Sequence, residues 1–274
     1  LCRRDDGPVL TVRTQRLPPL AFTAETFADR QLTRVGAEEV RALELLPGPA
    51  GRRARQSVRK DMGIWRLDTP RHPDGSDALD EVRLEQLLAV VTALRADAWV
   101  EPPLEQSLER TIRVERTAAR AGPVVVALHE GCVVTVAQRT RAAQIDEDAC
   151  AALRGDLLYN DPLRDWINRA RSIEWSDLDD PDRPPVRARR APVGGDAWEI
   201  ERGDRQEFEE RLVAWTNWRS DGVRTAPPEG AQRWRVRVQL TNGLTVTAEI
   251  GVGNSWLRLP GEDWYYAAGR PEEE

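Results

Sequence analysis

The strongest constraint on the fold of this chain is an internal repeat. Residues 80–97 align without a gap to residues 204–221, and six of the eighteen pairs are identical. These pairs are Asp80/Asp204, Glu85/Glu209, Leu88/Leu212, Thr92/Thr216, Arg95/Arg219 and Asp97/Asp221. Average amino-acid usage predicts about one match by chance. The offset of about 125 residues is the size of a domain, so we expect two tandem copies of one folded unit rather than short solenoid repeats.

The repeated segment is predicted to be an amphipathic helix in both copies. Apolar residues recur at helical spacing at Leu84, Leu87, Leu88, Val91 and Leu94, and again at Phe208, Leu212, Trp215 and Trp218. Ser76 or Asp77 can cap the first helix, and Asp204 can cap the second. Arg95 and Arg219 are placed in the last turns, where a cation complements the helix dipole.

Strand-like runs flank both helices in the same order. The matched ranges are 43–45 with 173–175, 63–67 with 196–200, 110–114 with 233–236, 124–129 with 245–250, and 132–137 with 255–259. Asn242-Gly243 predicts a tight hairpin. The unit therefore reads β-β-β-α-β-β-β, and the predicted fold class is α+β. We expect two tandem homologous units, each a mainly antiparallel sheet packed with one amphipathic helix.

Three domains follow from the repeat. Residues 33–163 form unit one and residues 164–274 form unit two. Residues 1–32 are interpreted as the tail of a preceding copy, because Val9–Val12 matches Val133–Val136, the last strand of unit one. The chain starts at Leu1 rather than Met, so we expect it to be part of a longer protein.

Composition and net charge restrict the classes of function that this chain can have. The net charge of −6 gives no general attraction to nucleic acid or to an anionic membrane. No run approaches the ~18–20 apolar residues of a membrane span, and no signal peptide is recognisable. The three cysteines, Cys2, Cys132 and Cys150, leave at least one unpaired. A Cys132–Cys150 disulfide is possible, but buried free thiols are the favoured prediction.

Candidate metal and nucleotide motifs are weak. His129 and Cys132 form half of a zinc site, but two further ligands are needed and the only other histidine is His72. A hairpin turn explains residues 129–131 more simply. The glycines of residues 251–253 follow a strand, but the residues after them alternate like a strand, whereas a dinucleotide fingerprint requires a helix.

Charged clusters are interpreted structurally. Acidic residues gather at Asp74, Asp77 and Asp80, and at Asp177, Asp179, Asp180 and Asp182. Paired carboxylates can serve acid–base chemistry or calcium binding, but helix capping and solvated loops account for these. The arginine runs within 52–55 and 187–190 are expected on a solvated face, with phosphate or lipid-headgroup contact as the alternative. We therefore predict no catalytic, cofactor-binding or metal-binding residues, and no cofactor.

The ten tryptophans are the one functional signal. Trp65, Trp198, Trp215 and Trp218 are predicted to be core residues. Trp166, Trp256 and Trp264 have no aromatic counterpart in the other copy. Exposed aromatic side chains of this kind would anchor a protein or glycan interface.

The order of four segments resembles a known family. The segments are Phe22–Leu45, Gly63–Leu67, Pro70–Asp80 and Leu84–Ala96. They resemble an uncharacterised bacterial domain-of-unknown-function family that is encoded beside gliding-motility-type ABC exporters and their auxiliary proteins. The resemblance implies a membrane-anchored precursor whose extracytoplasmic, periplasmic part is this chain, with the anchor outside it. It brings no established catalytic residues.

The predicted function is a non-enzymatic interaction or scaffold module, auxiliary to an envelope ABC export or gliding-motility-type complex. Its partners would be membrane ABC-transporter or auxiliary subunits. The first alternative is an envelope polysaccharide-binding protein that uses exposed tryptophans. The second is a hydrolase with two carboxylates across a cleft, ~5–10 Å apart. Asp196 replaces Gly63 in the second copy, so the two copies need not bind the same partner.

Overall fold

The computed structural model describes residues 29–50, 53–72, 78–118, 122–137, 139–191, 197–225 and 233–268. Within these ranges the protein is mostly antiparallel β-sheet with four α-helices, in agreement with the predicted α+β class. Most of residues 1–32, together with Ser76, Asp77 and Asp196, lies outside the described residues. The predicted boundary between residues 163 and 164 falls inside a helix, Pro162–Asn168.

The first half of the molecule contains eight strands and two helices. In chain order they are β1 (Val40–Pro47), β2 (Gln56–Asp61), β3 (Ile64–Thr69), α1 (Glu81–Thr92), β4 (Ala98–Val100), β5 (Leu108–Arg116), β6 (Val124–His129), β7 (Val133–Val136), β8 (Ala142–Gln144) and α2 (Glu147–Arg154). The strands form one sheet in the order β3-β2-β1-β5-β6-β7-β8-β4.

The second half again contains eight strands and two helices. They are α3 (Pro162–Asn168), β9 (Ala170–Asp177), β10 (Val186–Arg190), β11 (Trp198–Arg202), α4 (Arg205–Thr216), β12 (Ser220–Thr225), β13 (Arg233–Leu240), β14 (Thr245–Gly251), β15 (Trp256–Arg258) and β16 (Trp264–Ala268). The sheet order is β11-β10-β9-β13-β14-β15-β16-β12, so each strand takes the place that its counterpart eight strands earlier takes in the first sheet. Five strands follow each of α1 and α4, not the three that we predicted.

Cross-strand partners define equivalent positions in the two sheets. In the first sheet one row of partners runs Trp99–Ala143–Val134–Leu128–Arg110. In the second the same row runs Val223–Tyr266–Leu257–Ile250–Trp234. Arg110 is therefore equivalent to Trp234. The sequence alignment had paired residues 110–114 with 233–236, whereas the register pairs them one to one with 234–238.

The helices that carry the sequence repeat begin and end at equivalent residues. The side chain of Asp80 accepts the N–H of Arg83, and Asp204 accepts that of Glu207, so both helices have a carboxylate N-cap. The Thr92 hydroxyl donates to the Leu88 carbonyl, and the Thr216 hydroxyl donates to that of Leu212. Asp80 thus caps α1, not Ser76 or Asp77. Arg95 and Arg219 lie three residues beyond the helix ends, which corrects their predicted place in the last turn.

Each half has its own hydrophobic cluster. The first includes the buried residues of α1, which are Leu84, Leu87, Leu88 and Val91, and sheet residues such as Leu45 and Ile112. The second is richer in aromatic residues and includes Trp175, Phe208 and Trp215. The rings of Trp175 and Phe208 stack with their centroids 5.3 Å apart. Helix α1 packs beside α2, and α4 packs beside α3.

A disulfide joins Cys132 to Cys150, whose Cα atoms are 5.5 Å apart. The prediction of free thiols at these two positions is therefore wrong. The sequence places the cysteines 18 residues apart without showing that the turn after β6 meets α2.

Candidate functional site

A groove of about 1240 Å³ runs between α1 and α2 and ends where the two halves meet. Its apolar lining includes Leu87 and Val90 of α1, Leu94 just after α1, and Ala149 and Ala152 of α2. Charged side chains also line it, namely Arg53, Arg83, Arg95, Arg154, Asp146, Glu147, Asp148, Asp156 and Asp221. An apolar surface bordered by both signs of charge is suited to an amphipathic partner segment.

Small residues keep the groove open on its α1 side. Ala89 and Ala93 are exposed and line the groove one helical turn apart, so no long side chain crosses it there. The position equivalent to Ala89 in α4 is Val213, which is 60% exposed. This pair of positions allows the groove to be probed in α1 with a matched control in α4.

Helix α2 forms the opposite wall and is fixed at both ends. At its start, the Asp146 carboxylate accepts the N–H of Ala149 at 2.8 Å. Cys150, in its middle, is tied to Cys132. At its end, the Arg110 guanidinium donates to the carbonyls of Arg154 and Gly155, at 3.1 and 2.6 Å. A cation at a helix C-terminus satisfies carbonyls that lack an intrahelical partner.

Asp156 lies at the centre of a buried polar network, which we call the latch. Its side chain is 2% exposed and accepts from Arg110 and Arg53 at 2.6 Å each. It also accepts from the Gln56 amide at 2.7 Å and from the main-chain N–H of Val223, in the second half, at 2.8 Å. The latch therefore joins the sheet of the first half, the segment between the halves and the edge strand of the second half.

The latch leaves no room for extra atoms. At Gly222 a Cβ would lie 2.2 Å from Oδ2 of Asp156 and 2.5 Å from a nitrogen of Arg53. The φ angle of Gly222 is +146°, a conformation that residues with a Cβ rarely adopt. Glycine is thus required where β12 meets the carboxylate.

The electrostatics of the latch favour an ionised Asp156. Burial by itself would raise the pKa of this carboxyl, but the charges of Arg110 and Arg53 and the hydrogen bonds outweigh it, so the pKa of Asp156 is lowered. Asp156 and the two arginines therefore form a buried ionic network. Removal of one member alone would leave an uncompensated buried charge and lower the stability of the fold.

The two predicted candidates for metal binding, His129 and Cys132, do not form a metal site. His129 ends β6, the turn Glu130–Cys132 follows, and β7 pairs antiparallel with β6, which confirms the predicted hairpin. The ring nitrogens of His129 lie 3.2 Å from the Ser107 hydroxyl and 3.4 Å from the Thr135 hydroxyl. Among the described residues no group of three or more His, Cys, Asp or Glu side chains is placed to hold a metal ion.

His72 lies at the seam between the halves. Its ring centroid is 5.8 Å from that of Trp166 and 6.3 Å from that of Tyr266. Burial lowers the pKa of His72 to about 4, because the charged imidazolium loses its hydration there.

The acidic cluster in the second half builds a turn. Asp177 accepts the N–H groups of Asp179 and Asp180, and Asp179 accepts that of Arg233. In the first cluster Asp80 is the N-cap of α1, while Asp74 and Asp77 lie outside the described residues. A single 3-10 turn, Val252–Asn254, connects β14 to the antiparallel β15, so the predicted hairpin is confirmed and a strand, not an α-helix, follows these glycines.

The arginine runs divide into two kinds. Arg187 and Arg189 are exposed on β10 and pair with Glu174 and Glu199, as a solvated strand face predicts. Arg53 is instead in the latch, so the prediction of a solvated face is wrong for this residue. Arg190 resembles Arg110 in its role, since it donates to the carbonyls of Ile167 and Asn168 at the end of α3.

Most of the tryptophan side chains are buried. Seven of the ten are buried, namely Trp166, Trp175, Trp215, Trp218, Trp234, Trp256 and Trp264. The other three, Trp65, Trp99 and Trp198, are half-buried. The core prediction for Trp215 and Trp218 is thus confirmed, and Trp166, Trp256 and Trp264 do not provide the exposed aromatic surface that was considered for a glycan or protein interface.

Sequence reasoning missed the latch, although a signal was available. Arg110 alternates with Ile112 and Val114, so a charged residue stands on the apolar side of a predicted strand. Gln56 stands in the same way two residues before the buried Val58. Buried polar residues on the core face of a strand require partners, and the partner here is Asp156, 46 residues away from Arg110.

Comparison of the chain with protein-family models, with curated proteins and with solved structures gave no match.

Proposed function

We propose that this protein is a non-enzymatic interaction or scaffold module at the periplasmic face of a bacterial inner membrane, auxiliary to an envelope ABC export or gliding-motility-type complex. The observation that carries the proposal is the α1–α2 groove, an apolar surface with charged borders that stands beside the rigid latch. The family and the transport context rest on the sequence resemblance alone.

The two halves descend, in this proposal, from one duplicated unit of a sheet and an amphipathic helix. The equal strand orders, the equivalent N-caps Asp80 and Asp204, and the equivalent Thr92 and Thr216 hydrogen bonds support this. Sequence identity is concentrated in these scaffold positions. The groove lies in the first half, beside these shared positions rather than on them, which favours a binding role acquired after duplication.

The partner is a protein segment with one apolar ridge. Val90, Ala89 and Ala93 offer it a contact surface, while Glu147 and Asp148 are exposed acidic residues on the other wall. An amphipathic helix that carries basic residues beside its apolar ridge matches both features.

Two observations bear on location. A disulfide such as Cys132–Cys150 persists in oxidising compartments, which supports a periplasmic site. None of the helices in the described ranges has the length and apolarity needed to cross a bilayer.

The polysaccharide and hydrolase alternatives gain no specific support. Polymer binding needs solvent-exposed tryptophan rings, and all ten tryptophans are buried or half-buried. Of the four aspartates that line the groove, Asp146 caps α2, Asp156 lies in the latch and Asp221 pairs with Arg224.

The proposal is tested by co-purification of the tagged protein with detergent-solubilised envelope proteins of its host, identified by mass spectrometry. In the Ala89→Arg variant a long cationic side chain occupies the groove, so ABC-transporter or auxiliary subunits should be recovered at least about tenfold less, equivalent to ~1.4 kcal/mol of binding.

The matched control is Val213→Arg, which places the same side chain at the equivalent, exposed position of α4, outside the α1–α2 groove. It should recover the same subunits as the wild type. Equal losses in both variants, or capture of no transport-related subunit by the wild-type protein, would contradict the proposal.

A further inference from the structure

The junction between the two halves shows what covers the edge of a sheet in this fold. Strand β12 is the edge strand of the second sheet. The segment before β2 runs beside this strand. The main chain of Arg53 forms an antiparallel β-bridge with that of Arg224, and the N–H of Ala54 donates to the carbonyl of Val223 at 2.8 Å. The second sheet is therefore capped by a short extended segment from the first half.

Strand β4 is the equivalent edge of the first sheet. In the described part of the chain, Gln31 forms a β-bridge with Arg95, just before β4, and no residue pairs with the outer side of the strand itself. The row of cross-strand partners makes Trp99 equivalent to Val223. The N–H and C=O of a strand residue point to the same side in an antiparallel ladder, so Trp99 presents both groups outward as Val223 does.

The chain also enters the two halves in the same way. The N–H of Ala96 donates to the carbonyl of Arg30 at 2.7 Å, and the N–H of Ser220, its counterpart, donates to that of Asn160 at 2.6 Å. The approach to β4 is thus built like the approach to β12, up to the point where the capping segment would begin.

Trp99 adds a further unpaired group at this edge. Its indole Nε1 is buried from solvent and has no hydrogen-bond partner among the described residues. Its side chain is half-buried, whereas Val223 is 1% exposed beneath the capping segment. An aromatic residue on an edge strand whose outer side pairs with none of the described residues is a typical anchor for an added strand.

We propose that the β4 edge, centred on Trp99, binds the segment before the second strand of another unit with this fold. It does so by the main-chain pairing seen between Ala54 and Val223. The surface is distinct from the α1–α2 groove, so the proposal goes beyond the interaction that we assigned to that groove.

The molecule itself restricts which unit can be the donor. The donor segment of its first half is already engaged with β12. In the second half, the equal spacing from Leu45 to Gln56 and from Trp175 to Val186 makes Pro184 the counterpart of Ala54. Proline has no N–H, so this segment cannot donate to the Trp99 carbonyl. A second copy of this chain is therefore not the partner; a unit with a free, proline-less segment is.

The proposed pairing at β4 differs in one respect from the contacts that cover β12. Ala98 stands where β12 has Gly222, and a Cβ at Gly222 would lie 2.2 Å from the Asp156 carboxylate. The incoming unit therefore meets the N–H of Trp99 with a main-chain carbonyl rather than with a buried carboxylate.

The test uses the full chain and a peptide of residues 50–56, whose sequence includes the donor residues Arg53 and Ala54. The protein carries Cys2→Ser and Val100→Cys, because Val100 is the counterpart of Arg224. The peptide carries Arg53→Cys, so that correct pairing places the two new thiols opposite each other. Disulfide tethering is measured by intact mass in a glutathione buffer, with peptide mapping to verify that Cys132–Cys150 remains bonded.

The control peptide adds Ala54→Pro, which reproduces the chemistry of Pro184 at equal charge. We expect about tenfold more tethering with the alanine peptide, as loss of one main-chain hydrogen bond predicts. The site control is Leu104→Cys, which is 72% exposed and outside any strand, and which should not distinguish the peptides. Equal tethering of the two peptides at Val100→Cys would overturn the proposal.

Hydrogen exchange gives an independent measurement on the protein with its natural Val100. The amide of Trp99 should exchange rapidly in the free chain and more slowly with the unmodified peptide in excess. If this amide is already protected without peptide, the edge is covered by the chain itself and the proposal is wrong. Both tests leave the groove untouched, so their failure is distinct from a failure of the Ala89→Arg experiment.

Discussion

Arg110 and Trp234 occupy equivalent positions in the two sheets, but their side chains make different contacts. Arg110 is fully buried, holds the end of α2 and binds Asp156. Trp234 is also buried, and the guanidinium of Arg211 lies over its ring, 3.9 Å from the centroid. The same position thus serves to anchor a connecting segment in one half and to extend an apolar core in the other.

The turn after the sixth strand of each half, β6 and β14, offers a second comparison. Gly131-Cys132 and Gly253-Asn254 both adopt positive φ angles in these equivalent turns. Cys132 bonds covalently to α2. Asn254 instead accepts hydrogen bonds from the indole N–H groups of Trp215, on α4, and Trp218, just after it. In the first half the equivalents of these tryptophans are Val91 and Leu94.

The comparison teaches that small aliphatic and bulky aromatic side chains can occupy equivalent positions of one scaffold. In the first half the smaller Val91 and Leu94 stand at these positions, α2 packs beside α1, and the groove lies between the two helices. In the second half the equivalents, Trp215 and Trp218, are buried in the aromatic-rich cluster. The groove on which the proposed function depends thus lies in the half with the smaller side chains.

The largest expected effect is at the latch. Asp156→Asn keeps the volume but leaves Arg110 as a buried cation without its counter-ion, so unfolding in urea should show a loss of about 3–5 kcal/mol in stability. The control is Glu174→Gln, which breaks the pairs of Glu174 with Arg187 and Arg237 on the solvated sheet face and should cost about 0–1 kcal/mol. Equal losses would mean that Asp156 is no more important than a surface ion pair.

The next effect concerns the disulfide. Replacing Cys132 and Cys150 by serine frees α2 from the turn after β6, and closure of a loop of 18 residues is worth about 3 kcal/mol. The variant should unfold at correspondingly lower denaturant concentration, and binding to the groove should weaken because one wall is no longer fixed. A variant with unchanged stability would show that the disulfide does not hold α2.

The lowered pKa of His72 predicts how the stability of the protein depends on pH. The pKa of His72 falls from its ordinary value of 6.5 to about 4 on folding, so below pH 6.5 the unfolded chain takes up a proton that the folded chain refuses. Stability is fully retained above pH 6.5 and falls by up to about 3 kcal/mol as the pH drops to 4. In His72→Leu this part of the slope should vanish, while any slope from His129 and the carboxylates remains. An identical pH profile for the wild type and the variant would refute the assignment.

The smallest effect is the counterpart of the disulfide in the second half. Asn254→Gly preserves the positive φ angle but removes the acceptor of the Trp215 indole, which should cost about 1–2 kcal/mol. Tryptophan fluorescence should change at the same time, because the environment of a buried indole changes. A loss as large as that of the disulfide variant would show that the two anchors are not comparable in strength.

Much of the fold could be predicted from the sequence, because helix periodicity and turn residues are local signals. The segments around Leu88 and Leu212 reveal the repeat, and Asn242-Gly243 reveals a hairpin between β13 and β14. The short strands β4 and β8 were missed, since three residues carry little periodicity. The alignment of residues 110–114 with 233–236 was off because both segments alternate arginine with apolar residues, so the pattern fits more than one register.

The candidate site was largely beyond prediction, because it depends on contacts distant in sequence. Ala89, Ala149 and Ala152 have no chemical signature, and they form a groove only when α1 and α2 are side by side. Cys132 and Cys150 could be joined only once their distance was known. Arg110 was the exception, since a charged residue on the buried face of a strand demands a partner.

The most direct test of the account is an experimental structure of this chain in which the first sheet with α1 is superposed on the second sheet with α4. We predict that the strands coincide in order, that Arg110 falls on Trp234 and Cys132 on Asn254, and that the Asp156 carboxylate contacts Arg110. Different strand orders, or Leu88 and Leu212 in unrelated surroundings, would contradict the claim that one duplicated scaffold is completed in two ways.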